Sequence, residues 1–116
     1  MKKILLVVLP LLLVLGCEEA EPKIWDVKYK VSGSGGSFDV TISNKDDGTS
    51  QYDNVSSGWT YSFSTGDDGR FLYVSAQNQN NSGSVTTKIY VDGKQKKEST
   101  SSGAYVIATS SMSLGD

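Results

Sequence analysis

The side chains with the most chemical reach in this chain of 116 residues are a single cysteine, Cys17, and aspartates that recur beside glycine as Asp46-Asp47-Gly48, Asp67-Asp68-Gly69 and Asp92-Gly93. Histidine is absent from the sequence. Its absence removes the Ser-His-Asp and Cys-His nucleophile pairs, imidazole metal ligands, and any side chain that titrates unperturbed near neutral pH. One cysteine forms neither an intrachain disulfide nor a thiolate zinc cluster. Two carboxylates can hydrolyse glycosides without histidine, and Ser-Lys pairs can cleave amides, but both need a cleft with positioned, perturbed groups. Here the acids cluster in turns, the lysines are spread along strands, and nearly every apolar residue is needed to fill a small core, so no enzymatic activity is expected. Paired carboxylates and turn carbonyls can also supply the oxygens that calcium takes. Neither Asp-Asp-Gly fits an EF-hand loop, however, and Asp-Gly recurs at hairpins for backbone reasons, so no metal or other cofactor is expected. The cationic cluster Lys94, Lys96 and Lys97 reads as a sheet edge charged against aggregation.

Cys17 stands where an apolar run ends and charge begins. Lys2 and Lys3 precede the run Ile4 to Leu15, which only Pro10 interrupts, and Glu18-Glu19-Ala20-Glu21 follows. A spanning helix needs roughly 17 to 25 apolar residues, more than this run supplies, so residues 1–16 read as a signal peptide. Val14-Leu15-Gly16-Cys17 resembles the bacterial lipobox, whose cysteine is lipidated on sulfur before cleavage in front of it. The resemblance implies a diacylglyceryl thioether on Cys17, with a palmitate-like acyl group on its amine in many bacteria; two or three chains hold a protein stably where one does so marginally. Residues 17–23 then form the lipidated cysteine and an acidic tether of about 20 Å at ~3.3 to 3.6 Å per residue, which keeps the folded part near the membrane. The expected location is the bacterial cell envelope, with an extracytoplasmic domain that is periplasmic or surface-exposed. Removing residues 1–16 leaves nine basic against thirteen acidic residues, a net charge of −4 that argues against a nucleic-acid partner.

From Ile24 onward the hydrophobic period is two. Trp25, Val27, Tyr29 and Val31 alternate with polar residues, as do Phe38, Val40 and Ile42, then Trp59, Tyr61 and Phe63, then Val85, Thr87, Ile89 and Val91. A weaker strand covers 51–56. Residues 70–78 carry apolar side chains at both parities and read as a central strand covered on both faces. Asp92-Gly93 is the dipeptide that a two-residue type I′ hairpin prefers, with 94–99 as the returning strand. A last strand spans 104–109, before a polar tail at 111–116. The expected fold is all-β: one antiparallel immunoglobulin-like β-sandwich of seven to eight strands over residues 24–110, with a small barrel as the alternative. Trp25, Phe38, Trp59, Phe63 and Phe71 are its expected core. If the strands run up and down in order, the turns at 45–49, 66–69 and 92–94 share one acidic end beside the tether. The Ser/Asn/Gly loops then gather at the other end, away from the membrane.

The order VKYKVSGSGGSFDVTISNKDDG, SGWTYSF, FLYVSAQNQ, VTTKIYVDGK and SSGAYVIATSSMSL resembles the MmpS family of small membrane-associated envelope proteins. The likeness covers nearly the whole segment after Cys17 and implies a β-sandwich, in agreement with the periodicity. It also implies an accessory subunit that works with a large proton-driven exporter of lipids or siderophores, stabilising it or presenting cargo. MmpS proteins are held by a transmembrane helix, whereas this chain offers a lipid at Cys17. The functional expectation is a lipid-anchored cell-envelope binding or assembly module, with the membrane and an envelope protein or transporter as partners. The alternative is a surface-exposed adhesion or glycan-binding lipoprotein.

Overall fold

A computed structural model of the protein describes residues 23–115; Cys17, the expected signal peptide and most of the expected tether lie outside the described residues. Eight strands follow one another: β1 (Trp25–Ser32), β2 (Phe38–Ser43), β3 (Thr49–Val55), β4 (Trp59–Thr65), β5 (Phe71–Asn78), β6 (Ser84–Val91), β7 (Lys94–Ser102) and β8 (Ile107–Ser113). They form two four-stranded sheets, sheet I in the order β4-β1-β6-β7 and sheet II in the order β3-β2-β5-β8, with every pairing antiparallel. The expected sandwich is therefore present, with β1 and β2 in opposite sheets. Only β2–β3 and β6–β7 are hairpins; the other connections cross between sheets at the ends of the sandwich.

The core follows from the alternation. Val27, Tyr29 and Val31 of β1 and Val85, Ile89 and Val91 of β6 meet Phe38, Val40 and Ile42 of β2 and Leu72, Val74 and Ala76 of β5. Each such side chain stabilises the fold by about 1.5–3 kcal/mol on burial, an upper range because the unfolded chain already hides some surface. Tyr29 also ties the sheets together: its hydroxyl donates to the Ser43 carbonyl at 2.8 Å. Burial pushes the Tyr29 hydroxyl pKa above its ordinary value, against the opposing effect of its hydrogen bonds. A second cross-sheet tie joins Thr87 and Ser110, whose buried hydroxyls lie 2.8 Å apart.

Three sequence expectations need correction. The last strand is Ile107–Ser113 rather than 104–109, so the domain does not end at 110; Met112 and Leu114 of the expected polar tail are buried. The alternation Ala108, Ser110, Met112, Leu114 is disguised by Ser110, which is tolerated inside because Thr87 satisfies it. Central strand β5 is covered on one face only: Leu72, Val74, Ala76 and Asn78 point inward, whereas Phe71 is 51% exposed. Trp25 and Trp59 pack against the core while only partly buried.

Close backbone approach fixes two of the ends. At Gly33 a Cβ would sit 2.1 Å from the Ser84 carbonyl oxygen, so no larger residue fits there. Asp92 and Gly93 have φ of 52° and 83°, as the I′ hairpin requires.

Candidate functional site

The acidic turns do meet at one end of the sandwich, and Arg70 is what joins them. Its guanidinium is 5% exposed, donates to the Thr65 hydroxyl at 3.2 Å and to the Asn44 carbonyl, and lies 5.2 Å from the Phe63 ring centre. Asp47 and Asp67 approach it at 3.7 and 3.6 Å from the solvent side. The third turn is tied to the start of β1: the Asp26 amide donates to the Asp92 carboxylate at 2.9 Å, and the Asp92 amide donates to the Asp26 carbonyl at 2.8 Å. The Asp26 amide, with Lys23 as a lesser cause, holds the Asp92 carboxyl below its ordinary pKa. These contacts give Asp47, Asp67 and Asp92 structural partners, and among the described residues no three potential ligands converge on a metal position.

At the opposite end the amide side chains are also engaged. Asn78 is fully buried; its Nδ2 donates to the carbonyls of Ser82 and Gly103 at 2.9 and 3.0 Å, and its Oδ1 accepts from the Asn80 amide at 3.1 Å. Asn80 Oδ1 in turn accepts from the Gly36 amide at 2.8 Å. These side chains knit the 33–37, 79–83 and 103–106 loops to one another. Between the diverging edges β3 and β4, Tyr52, Trp59 and Tyr61 form an aromatic cluster, with the Tyr52 and Trp59 ring centres 5.2 Å apart. Tyr61 continues that cluster inward to Tyr29 and Phe63, so the cluster acts first as the lateral wall of the core.

The outer face of sheet I has a different character. Lys28, Lys30 and Lys88 share it with Asp26 and Glu98, and Glu98 stands directly opposite Lys88, whereas the strands of sheet II carry no lysine or arginine and two aspartates. Lys94, Lys96 and Lys97 lie on β7, which is an edge strand, the position expected for them. There they border hollows lined by Met112 of β8, whereas Lys28, Lys30 and Lys88 stand in the middle of the outer face. Lys30 stands directly opposite Lys88 across β1 and β6, and Lys28 stands opposite Tyr90, with its ammonium 4.7 Å from the ring centre. Ser62 and Thr60 of β4 flank Lys28 and Lys30 on the other side. A shallow groove of about 450 Å³ crosses this face, lined among others by Asp26, Lys28, Ser62, Ser64 and Tyr90.

This grooved face of mixed charge is the candidate binding surface, and reading the sequence missed it. Each lysine is visible as an outward position of an alternating strand. The pairing of β1 with β6, which places Lys30 beside Lys88, is a long-range property that local periodicity does not encode. Cys17, the expected lipid-attachment residue, lies outside the described residues. No curated protein matches the chain significantly. The family described as Mycobacterium membrane protein matches residues 16–113, a span that includes all eight strands, and the chain therefore belongs to that family, the MmpS family.

Proposed function

We propose that the protein is a non-catalytic, lipid-anchored module of the bacterial cell envelope that binds or assembles with partners outside the cytoplasm, as an accessory to a membrane transporter. The observation that carries this reading is the family match over residues 16–113, in a family of membrane proteins. Among the described residues no helix is long and apolar enough to cross a membrane, and in this reading the lipid on Cys17 supplies the attachment. The chemistry of the domain supports a binding role. Its carboxylates stand in exposed turns around Arg70 and in the β6–β7 hairpin, and its lysines stand on a sheet face, so the polar groups are displayed outward.

Crosslinking in native membranes followed by purification of the tagged full-length protein tests the partnership. A large proton-driven exporter is expected among the crosslinked species. Its absence, with the protein itself recovered intact from the membrane fraction, contradicts the transporter role.

A further inference from the structure

We propose that strand β4 pairs with β4 of a second copy of this chain, antiparallel across a two-fold axis at Ser62, so that two copies share one continuous sheet. The proposal goes beyond the transporter reading and stands on the fold alone.

The first support is the contrast among the sheet edges. An exposed edge strand is a template for further pairing, and proteins blunt it with charge, bulges or cover. Strand β7 carries Lys94, Lys96 and Lys97, and its register skips Lys96 between the Ile89–Lys97 and Tyr90–Gln95 pairs. Strand β8 is covered by β7, whose Ser101 hydroxyl donates to the Ile107 carbonyl at 2.8 Å. Strand β3 carries Asp53 and breaks its ladder between the Val40–Tyr52 and Phe38–Val55 pairs, where Asn54 has a φ of 57°. Strand β4 has none of these features: it carries no charge and no proline, and its register with β1 is unbroken from Trp59 to Thr65.

The second support is the phase of its backbone groups. The amide and carbonyl of Asp26 both face Asp92 at the end of β6. Backbone groups alternate sides along an antiparallel strand, so those of Val27, Tyr29 and Val31 face β4 and bond Phe63, Tyr61 and Trp59. The amides and carbonyls of Thr60, Ser62 and Ser64 therefore point away from β1, and among the described residues no turn or loop bond engages them. An axis at Ser62 sets Ser62 opposite its own equivalent and Thr60 opposite the second copy's Ser64. That register places all these groups at bonding positions and forms about six interchain hydrogen bonds.

The third support is self-complementarity. On the inner face the same register sets Tyr61 opposite the second copy's Phe63, and on the outer face it sets hydroxyl opposite hydroxyl, pairs that stabilise antiparallel strands. Trp59 and Tyr61, only partly buried at the open side of the core, gain cover. The charges are compatible as well. The row that holds Lys30 and Thr60 in one copy continues as Ser64 and Asp26 in the other, so opposite charges share it. Lys28 and its equivalent stand about 14 Å apart across the axis at ~4.8 Å per strand, beyond the ~8–10 Å at which salt screens exposed charges. A second copy is favoured over a strand of another protein because β4 complements its own reversed sequence. The axis also stands normal to the sheet, which puts the starts of both β1 strands at one height, where a single membrane can hold both copies.

The test is cysteine crosslinking of the full-length protein in its native membranes, with the parent chain as background. Ser62→Cys alone is expected to give a disulfide-linked dimer of twice the chain mass, since facing Cα atoms about 5.5 Å apart suit a disulfide. Thr60→Cys and Ser64→Cys are expected to crosslink when expressed together and not when either is present alone. Ser62→Glu stands beside Lys28 within one copy but meets its own equivalent at the axis. Added to the Thr60→Cys and Ser64→Cys chains, it is expected to abolish their crosslink while leaving the circular dichroism of the purified protein unchanged. Absence of the Ser62→Cys dimer overturns the proposal, as does a Ser62→Cys adduct with a different protein in its place. So does crosslinking of Thr60→Cys alone as strong as that of the mixed pair, or crosslinking undiminished by Ser62→Glu. Each of these results leaves the transporter reading untouched, since that reading is tested by the recovery of an exporter.

Discussion

Arg70 concentrates more of the molecule's polar organisation than any aspartate around it. It is buried, holds two turns through Asn44 and Thr65, and covers Phe63, while Asp47 and Asp67 are more than 70% exposed and add little because water screens them. Arg70→Met keeps the apolar stem but removes the hydrogen bonds, and is expected to cost about 1.5–3 kcal/mol in chemical denaturation from the lost charge-assisted bonds, since Thr65 and Asn44 keep the amides of Asp67 and Asp47 as donors. A loss below about 1 kcal/mol would mean that the turns are held by other contacts. Tyr29 makes the corresponding tie inside the core. Tyr29→Phe is expected to cost about 1–2 kcal/mol, since Ser43 loses a donor. Because burial raises the Tyr29 pKa, the folded state holds that proton more tightly than the unfolded chain does, whose value is near 10.0. The associated stability is fully present below that pH and is lost as pH rises through the folded value. The variant should therefore show a weaker decline in alkaline denaturation curves; an identical decline would assign it to other groups.

Among the elements, β8 is where sequence and structure part most clearly. Strands β1, β2, β4 and β6 are legible because their inward residues are mostly apolar and strictly alternate, and the β6–β7 turn is legible because Asp92-Gly93 meets a specific backbone requirement. Strand β8 hides its period behind Ser110, whose burial depends on Thr87 in the other sheet. Phe71 fails in the opposite sense: it is large and aromatic, yet its parity on β5 directs it outward. The lysine face shares this origin, since strand order and register decide which side chains become neighbours. Deleting residues 111–116, harmless if they were a polar tail, removes buried Met112 and Leu114 and the bonds between Leu114 and the 69–70 backbone. The expected loss is about 3–6 kcal/mol, enough to unfold a domain of ordinary stability, as circular dichroism and thermal melting would report. A deletion variant that melts like the parent would place the end of the domain at 110 after all.

At the scale of the whole molecule, the sandwich separates its tasks by surface. The acidic turns and the Asn78 and Asn80 network close the two ends, sheet II presents a weakly acidic hydroxyl-rich face, and sheet I presents lysines interspersed with Asp26 and Glu98. Such an arrangement suits the small membrane-held module of the proposed function. The account therefore depends on the protein being attached there through Cys17. Intact mass spectrometry of the mature protein from its native membrane tests this directly. The account expects Cys17 as the first residue, carrying a diacylglyceryl group on sulfur; a product with residues 1–16 retained, or with an unmodified Cys17 thiol, would contradict it.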